Sequence, residues 1–165
     1  MKTIYLVRHA HATRSVANQP DIKRPLAKTG IERSLKIGNI LSDRGVKPAL
    51  IISSNAVRAK DTARILARSI GYPENNILLN SKIYLSSEND LLDIISSLSD
   101  KLASVMLVGH NPSMTGFAMM LQAEIQEELP TSSVVCISAD TDSWHTLLNS
   151  KIRVNFIIAS SNGNF

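Results

Sequence analysis

Short unbroken apolar runs alternate along this chain with longer stretches in which apolar residues recur every three or four positions. Ile4-Tyr5-Leu6-Val7, Ala49-Leu50-Ile51-Ile52 and Val105-Met106-Leu107-Val108 are runs of the first kind, and such runs predict strands buried on both faces. Ile77-Leu78-Leu79 predicts a further short strand, and Ser133 to Ile137 and Val154 to Ile158 predict two more. The helical period appears first from Thr29 or Gly30, where Ile31, Leu35, Ile37, Ile40 and Leu41 trace one broad face and Gly45 supplies a stop. Asn55 has the chemistry of an N-cap for a helix to about Ile70, ended by Gly71, Tyr72 and Pro73. Leu91, Leu92, Ile94, Ile95 and Leu98 mark a third helix. A fourth is expected to be capped by Asn111, to start on Pro112 and to run to about Leu121. Alternating strands and helices predict a single α/β domain over residues 1–165. Its expected form is a three-layer sandwich, with a mostly parallel central sheet and helices on both faces. The stretch from Ala12 to Lys28 has no period and contains Pro20 and Pro25, so it predicts a long loop; in a small domain such loops are more often functional than idle.

Composition narrows the class. Hydrophobic residues make up 44% and charged residues 19% of 165 residues, the balance of a globular domain with a sizeable core. Lys and Arg number 18 against 14 Asp and Glu, a mild excess that suits an anionic substrate. The basic residues are scattered and aromatics are sparse, so a nucleic-acid partner is not expected. Cys136 stands alone, which excludes disulfide scaffolds and cysteine-rich zinc sites. The first apolar run is too short for a signal-peptide core and no run approaches a membrane span, so a cytoplasmic protein with no membrane association is expected.

Three strand-to-loop junctions carry the candidate chemistry: Arg8-His9, Ser53-Ser54 with Arg58, and Gly109-His110. In open α/β sheets ligands bind beyond the carboxyl ends of the strands, so parallel strands would bring all three junctions to one rim. Two helix starts, at Asn55 and Asn111, would open there and favour anions. Two arginines and two histidines without a carboxylate cluster suit phosphate, because the guanidinium fork matches phosphate oxygens. Histidine can accept a phosphoryl group covalently, and nearby positive charge should keep His9 unprotonated. Read singly, each residue has a plainer role: Arg8-His9 as a strand-end pair, His110 as a structural histidine, Ser53-Ser54 as a turn without the glycines of a serine-nucleophile elbow. A metal site from His9, His11 and His110 lacks a nearby carboxylate ligand.

In order along the chain, Arg8-His9-Ala10, then Arg24-Pro25-Leu26 with Thr29-Gly30, then Ser53-Ser54 with Arg58-Ala59 and Thr62, then Val108-Gly109-His110-Asn111-Pro112 resemble the blocks of the histidine phosphatase superfamily, the phosphoglycerate mutase-like proteins. The short length, Leu129-Pro130-Thr131 and Asp142-Ser143-Trp144 look most like its SixA-type phosphohistidine phosphatase branch. The resemblance implies His9 as the phosphorylated nucleophile, Arg8 and Arg58 as ligands of the phosphoryl oxygens, and His110 as a hydrogen-bond partner of that group. Arg24, Asn111 and Ser54 are the further residues expected to bind substrate. It implies no metal or other cofactor. The expected partner is a phosphorylated protein or a small phosphorylated substrate, met by a monomer.

Two positions depart from the family pattern. The third signature residue, commonly glycine, is Ala10. Where many relatives carry a glutamate that acts as general acid, this chain has Leu85, with Glu88 and Asp90 close by as possible proton donors and Asp21 in the loop before Arg24. An alkoxide leaving group needs a proton in the transition state, whereas imidazole leaving phosphohistidine is far less basic. A missing acid therefore points to a P–N bond. A phosphomonoesterase or phosphomutase acting on small molecules, or a phosphate-binding module without catalysis, would share most of these residues; the module would need neither His9 nor His110.

Overall fold

The computed structural model describes residues 1–159. Six strands form one sheet: β1 (Lys2–Arg8), β2 (Leu50–Ser53), β3 (Leu78–Leu79), β4 (Ser104–Gly109), β5 (Val134–Ala139) and β6 (Ile152–Ile158), in the order β3-β2-β4-β1-β5-β6. The first four in that order pair in parallel, while β5 lies antiparallel to both β1 and β6. The sheet is thus mostly parallel, as the alternating pattern predicts. The antiparallel edge is the part that apolar runs alone could not orient.

Side chains of each central strand alternate between two cores. Ile4 and Leu6 of β1, with Val105 and Leu107 of β4, face α3 (Glu88–Ser96) and α4 (Ser113–Met120). Val7 of β1, with Met106 and Val108 of β4, faces α1 (Lys28–Asp43) and α2 (Val57–Ser69). Successive side chains on a strand point to opposite faces, so a continuous apolar run is what a strand covered on both sides requires. Cys136 is buried in β5 within the core, as an inert small apolar residue would be.

The helix starts need correction. Asn55 does not cap α2: it is exposed, and the cap position belongs to Ala56, with no side-chain bond. The hydroxyl of Ser54 takes the Ala56 N–H at 3.2 Å, so the turn after β2 is closed one residue earlier and the helix begins later. Pro112 stands at the cap of α4 rather than in its first helical position, after a cis Asn111–Pro112 bond. Asn111 still serves the helix, since its Oδ1 accepts from the backbone N–H of Thr115 at 3.3 Å and from its hydroxyl at 2.9 Å. The expected third helix begins earlier than Leu91 because Ser87 and Asp90 form a reciprocal cap around the first turn of α3.

The loop from 12 to 27 is pinned rather than loose. Ala12 bridges Leu26, Thr13 N–H donates to the Pro25 carbonyl and Ala27 N–H donates to the His11 carbonyl. Gly30 lies so close to that carbonyl that a Cβ there would stand 2.1 Å from the oxygen. Its absence of a side chain lets α1 pack under the loop. No helix among the described residues is long and apolar enough to cross a membrane.

Candidate functional site

The parallel strands deliver their ends to one rim. β1 ends at Arg8 with His9 next, β2 ends at Ser53 and β4 ends at Gly109 before His110; Arg8 pairs with Gly109 in register. The His9 and His110 rings are tilted against one another with centroids 4.9 Å apart. Arg58, in the first turn of α2, donates from Nε to His9 Nε2 at 3.4 Å. The structure therefore brings together Arg8, His9, Arg58 and His110 from three separate parts of the chain.

The hydrogen bonds assign the tautomers. His9 Nδ1 lies 2.7 Å from the Ala10 carbonyl, which can only accept, so Nδ1 carries the proton and Nε2 holds the lone pair. Burial holds His9 well below its ordinary value, down to about 4, and the positive charges of Arg58, Arg8 and Arg24 add to the effect. Charge alone was the cause expected from the sequence; desolvation is the larger one. Burial likewise lowers His110, to about 3, helped by His9 and Arg58. Ser54 Oγ, having accepted from Ala56, can donate its own hydrogen to His110 Nε2 at 2.8 Å. That places a proton on His110 Nδ1, a buried atom without a partner among the described residues. The Nε of Arg8 is buried and unpartnered in the same way, while its Nη1 donates to the Leu129 carbonyl. Buried donors without acceptors are costly in a resting protein, and an incoming oxyanion is the natural acceptor.

Beside these residues lies a cavity of about 260 Å³ lined by Asp21, Arg58, Tyr84, His110, Asn111 and the Leu85–Ser86 turn, among others. His9 touches that lining through Arg58 and His110, and Arg8 is near enough for its charge to act on both histidines. Asp21 is the residue whose part the sequence least prepared for. Its Oδ2 accepts from Arg58 Nη2 at 3.0 Å and from the Tyr84 hydroxyl at 2.6 Å, and its Oδ1 accepts from Arg24 Nε at 2.8 Å. Its backbone carbonyl takes Arg58 Nη1 at 2.8 Å. The Tyr84 hydrogen bond, then those of Arg24 and Arg58, hold the Asp21 carboxyl far below the usual carboxylate range, so it is ionised and is not a proton donor.

The remaining expected residues divide. Arg24 stands at the loop end, tied to Asp21 and to the Thr13 carbonyl. Ser54 meets the site through His110. Asn111 lines the cavity, but its amide is engaged with Leu129 and Thr115, so it braces the wall. Glu88 and Asp90 stand apart from the cavity. Glu88 packs against Gly116 of α4. The Asp90 carboxylate takes both the Ser87 N–H and the Ser87 hydroxyl at 2.7 Å, and the first of these lowers it below its ordinary value. The Ser-x-x-Asp spacing of a capping box was the readable sign of that role. Tyr84 and the backbone of Ser132 are site components without a sequence signature, and the Leu129 carbonyl lies in the Leu129-Pro130-Thr131 block, whose part in the site the sequence did not show. The Ser132 N–H donates to the His9 carbonyl at 3.2 Å. Among the described residues no three metal-ligating side chains cluster.

These features define an α/β protein whose strand ends gather arginines around a buried histidine with a depressed pKa. Comparison with known proteins gives that class its family. Residues 4–77 match the histidine phosphatase superfamily (branch 1). The chain is 31% identical over 151 residues to an uncharacterized chloroplastic protein of Arabidopsis thaliana, covering 87% of this chain and 69% of that protein. The fold matches a structure from Agrobacterium tumefaciens assigned as the phosphohistidine phosphatase SixA, with a TM-score of 0.84, 26% identity, and 97% and 99% of the two chains covered. It also matches a protein histidine phosphatase SixA complexed with tungstate, with a TM-score of 0.80, 19% identity, and 95% and 96% covered. The chain belongs to the histidine phosphatase superfamily and has the phosphoglycerate mutase-like fold of its SixA-type members.

Proposed function

We propose that this protein is a phosphatase that removes the phosphoryl group from phosphohistidine on a protein, through a phospho-His9 intermediate. One observation carries the reading. A neutral His9 lies among arginines, while the cavity rim offers no carboxyl free to give a proton: Leu85 stands there, Asp21 is locked as an anion, Asp90 is taken up by the cap of α3 and Glu88 lies against Gly116, outside the cavity lining.

His9 Nε2 attacks phosphorus in line as Arg58 exchanges its bond to that nitrogen for phosphoryl oxygen. The substrate ring is protonated on its other nitrogen, so when the P–N bond breaks the electron pair stays on the departing nitrogen and neutral imidazole leaves with no further proton added. Arg8, through its free Nε–H, and His110, through Nδ1–H, stabilise the charge spread over the equatorial oxygens. Water then attacks phospho-His9, the pair returns to Nε2 and inorganic phosphate leaves with the proton balance restored. Imidazole is weakly basic, so this route runs without a dedicated acid, whereas an alkoxide would leave slowly. On this reading the protein works as a cytoplasmic monomer with no metal or organic cofactor.

The test is rapid quench with phosphohistidine, phosphoaspartate and phosphoester donors. Acid-labile phosphate should appear on wild-type protein and not on His9→Asn, with phosphohistidine the fastest donor. Phosphoester turnover equal to or faster than phosphohistidine turnover would overturn the substrate assignment, and turnover by His9→Asn would overturn the mechanism.

A further inference from the structure

Leu85 occupies a backbone position that a leucine fills at a cost. Tyr84 has φ −70° and ψ 126°, Leu85 has φ 57°, and Ser86 N–H returns to the Ile83 carbonyl at 3.4 Å, which is a turn of the type II kind. The third position of such a turn favours glycine or asparagine, because a Cβ is crowded at positive φ. Three other non-glycine residues among those described share the left-handed region: Asn18, Gln122 and Ser132. Leu85 is the apolar one, and its side chain receives nothing in return from the fold, since the residue is 85% exposed. The turn sits at the edge of the cavity beside Arg58 and His110, and it is fixed there: Tyr84 hydrogen-bonds Asp21 on one side, and the Ser86 and Ser113 hydroxyls lie 3.1 Å apart on the other.

We infer that Leu85 is an apolar anchor for the folded surface of a protein substrate, and that it sets the preference of this site for protein-borne over free phosphohistidine. The inference rests on the phosphohistidine reading above and adds the partner surface to it. A donor no larger than a phosphorylated imidazole meets at most the cavity-facing part of Leu85 and leaves most of a side chain this exposed in water. A folded donor that inserts a phosphohistidine toward Arg58 and His110 must lay its surrounding surface on the rim, where Leu85 and the exposed Pro112 stand. The complementary partner surface is an apolar patch next to the phosphorylated histidine. A strained backbone paired with an exposed leucine is the signature of a position kept for contact rather than for stability.

The experiment compares wild type, Leu85→Asn and Leu85→Met on two donors: a phosphotransfer domain phosphorylated on its histidine, and phosphoimidazole. Asparagine accepts the left-handed backbone and removes the apolar surface; methionine keeps the surface. Leu85→Asn should lower kcat/KM on the phosphoprotein about tenfold, the scale of one largely buried leucine, and lower it on phosphoimidazole by a clearly smaller factor. Leu85→Met should restore the phosphoprotein rate, and the thermal midpoint of Leu85→Asn should equal or exceed that of wild type. Equal losses on both donors, or an unchanged phosphoprotein rate, would overturn the anchor. Wild-type protein inert toward both phosphohistidine donors would instead remove the substrate reading, and the anchor with it.

Discussion

Replacing His9 by asparagine should change how the stability of this fold depends on pH. Asparagine keeps a donor for the Ala10 carbonyl and removes the titrating ring. In the unfolded chain His9 titrates near its ordinary value of 6.5; in the folded protein it titrates at about 4. Between those values the unfolded state binds more protons, so acidification favours unfolding. Above about pH 6.5 both states are neutral at this position and no difference remains. From about pH 7.5 to about pH 4.5 the single group should cost about 2.5 kcal/mol of stability. His110, lowered to about 3, acts with the same sign and adds a loss of similar size. Asp21 and the other depressed carboxylates act in a lower window: they support the fold above their unfolded values, near 4, and that support fades below them. They are common to both proteins and cancel in the comparison. Urea titrations of wild type and His9→Asn at the two pH values measure the difference directly. The wild type should lose about twice as much stability as the variant. Parallel losses in the two proteins would show that His9 is not held neutral by burial, and the argument for its free lone pair would fail.

Three further outcomes follow from contacts around the site. Asp21→Asn removes the anion that Arg24 and Arg58 grip, so inorganic phosphate should inhibit about tenfold more strongly, measured as its inhibition constant; weaker inhibition would mean that the arginines need Asp21 to hold their place. Ser54→Ala takes away the hydroxyl that fixes the His110 tautomer, and kcat should fall about tenfold or more while the unfolding midpoint changes little. Gly30→Ala places a Cβ 2.1 Å from the His11 carbonyl oxygen. It should cost about 1–3 kcal/mol, seen as a lowered thermal midpoint.

The parts of the fold that were legible are those that the local pattern determines. Runs such as Val105 to Val108 are readable because a strand covered on both faces has no polar side to show. The junctions Arg8-His9 and Gly109-His110 follow, since parallel strands end on a common rim. Asp21 was readable as an acid near the site but not as the hub that joins Arg24 to Arg58, for while Arg24 is three residues away, Arg58 and Tyr84 lie 37 and 63 residues away on other elements. Asn55 misled because Ser54 competes for the same turn, and only the folded backbone decides between them. Glu88 and Asp90 are neighbours of Leu85 in sequence, yet the start of α3 turns both away from the cavity.

The antiparallel placement of β5 has a consequence for how this site can vary. β1, β2 and β4 reach the rim with their ends, but β5 reaches it with its beginning, so the segment before Val134 forms the fourth wall. That wall acts through main chain. The Leu129 carbonyl holds both Arg8 and the Asn111 amide, Ser132 N–H binds the His9 carbonyl, and the Ser133 carbonyl receives Arg8 N–H. Groups that every residue carries are indifferent to most exchanges of side chain and intolerant of a change in spacing. A single insertion or deletion among residues 129–133 would therefore move these groups and disarm the nucleophile and its arginine together.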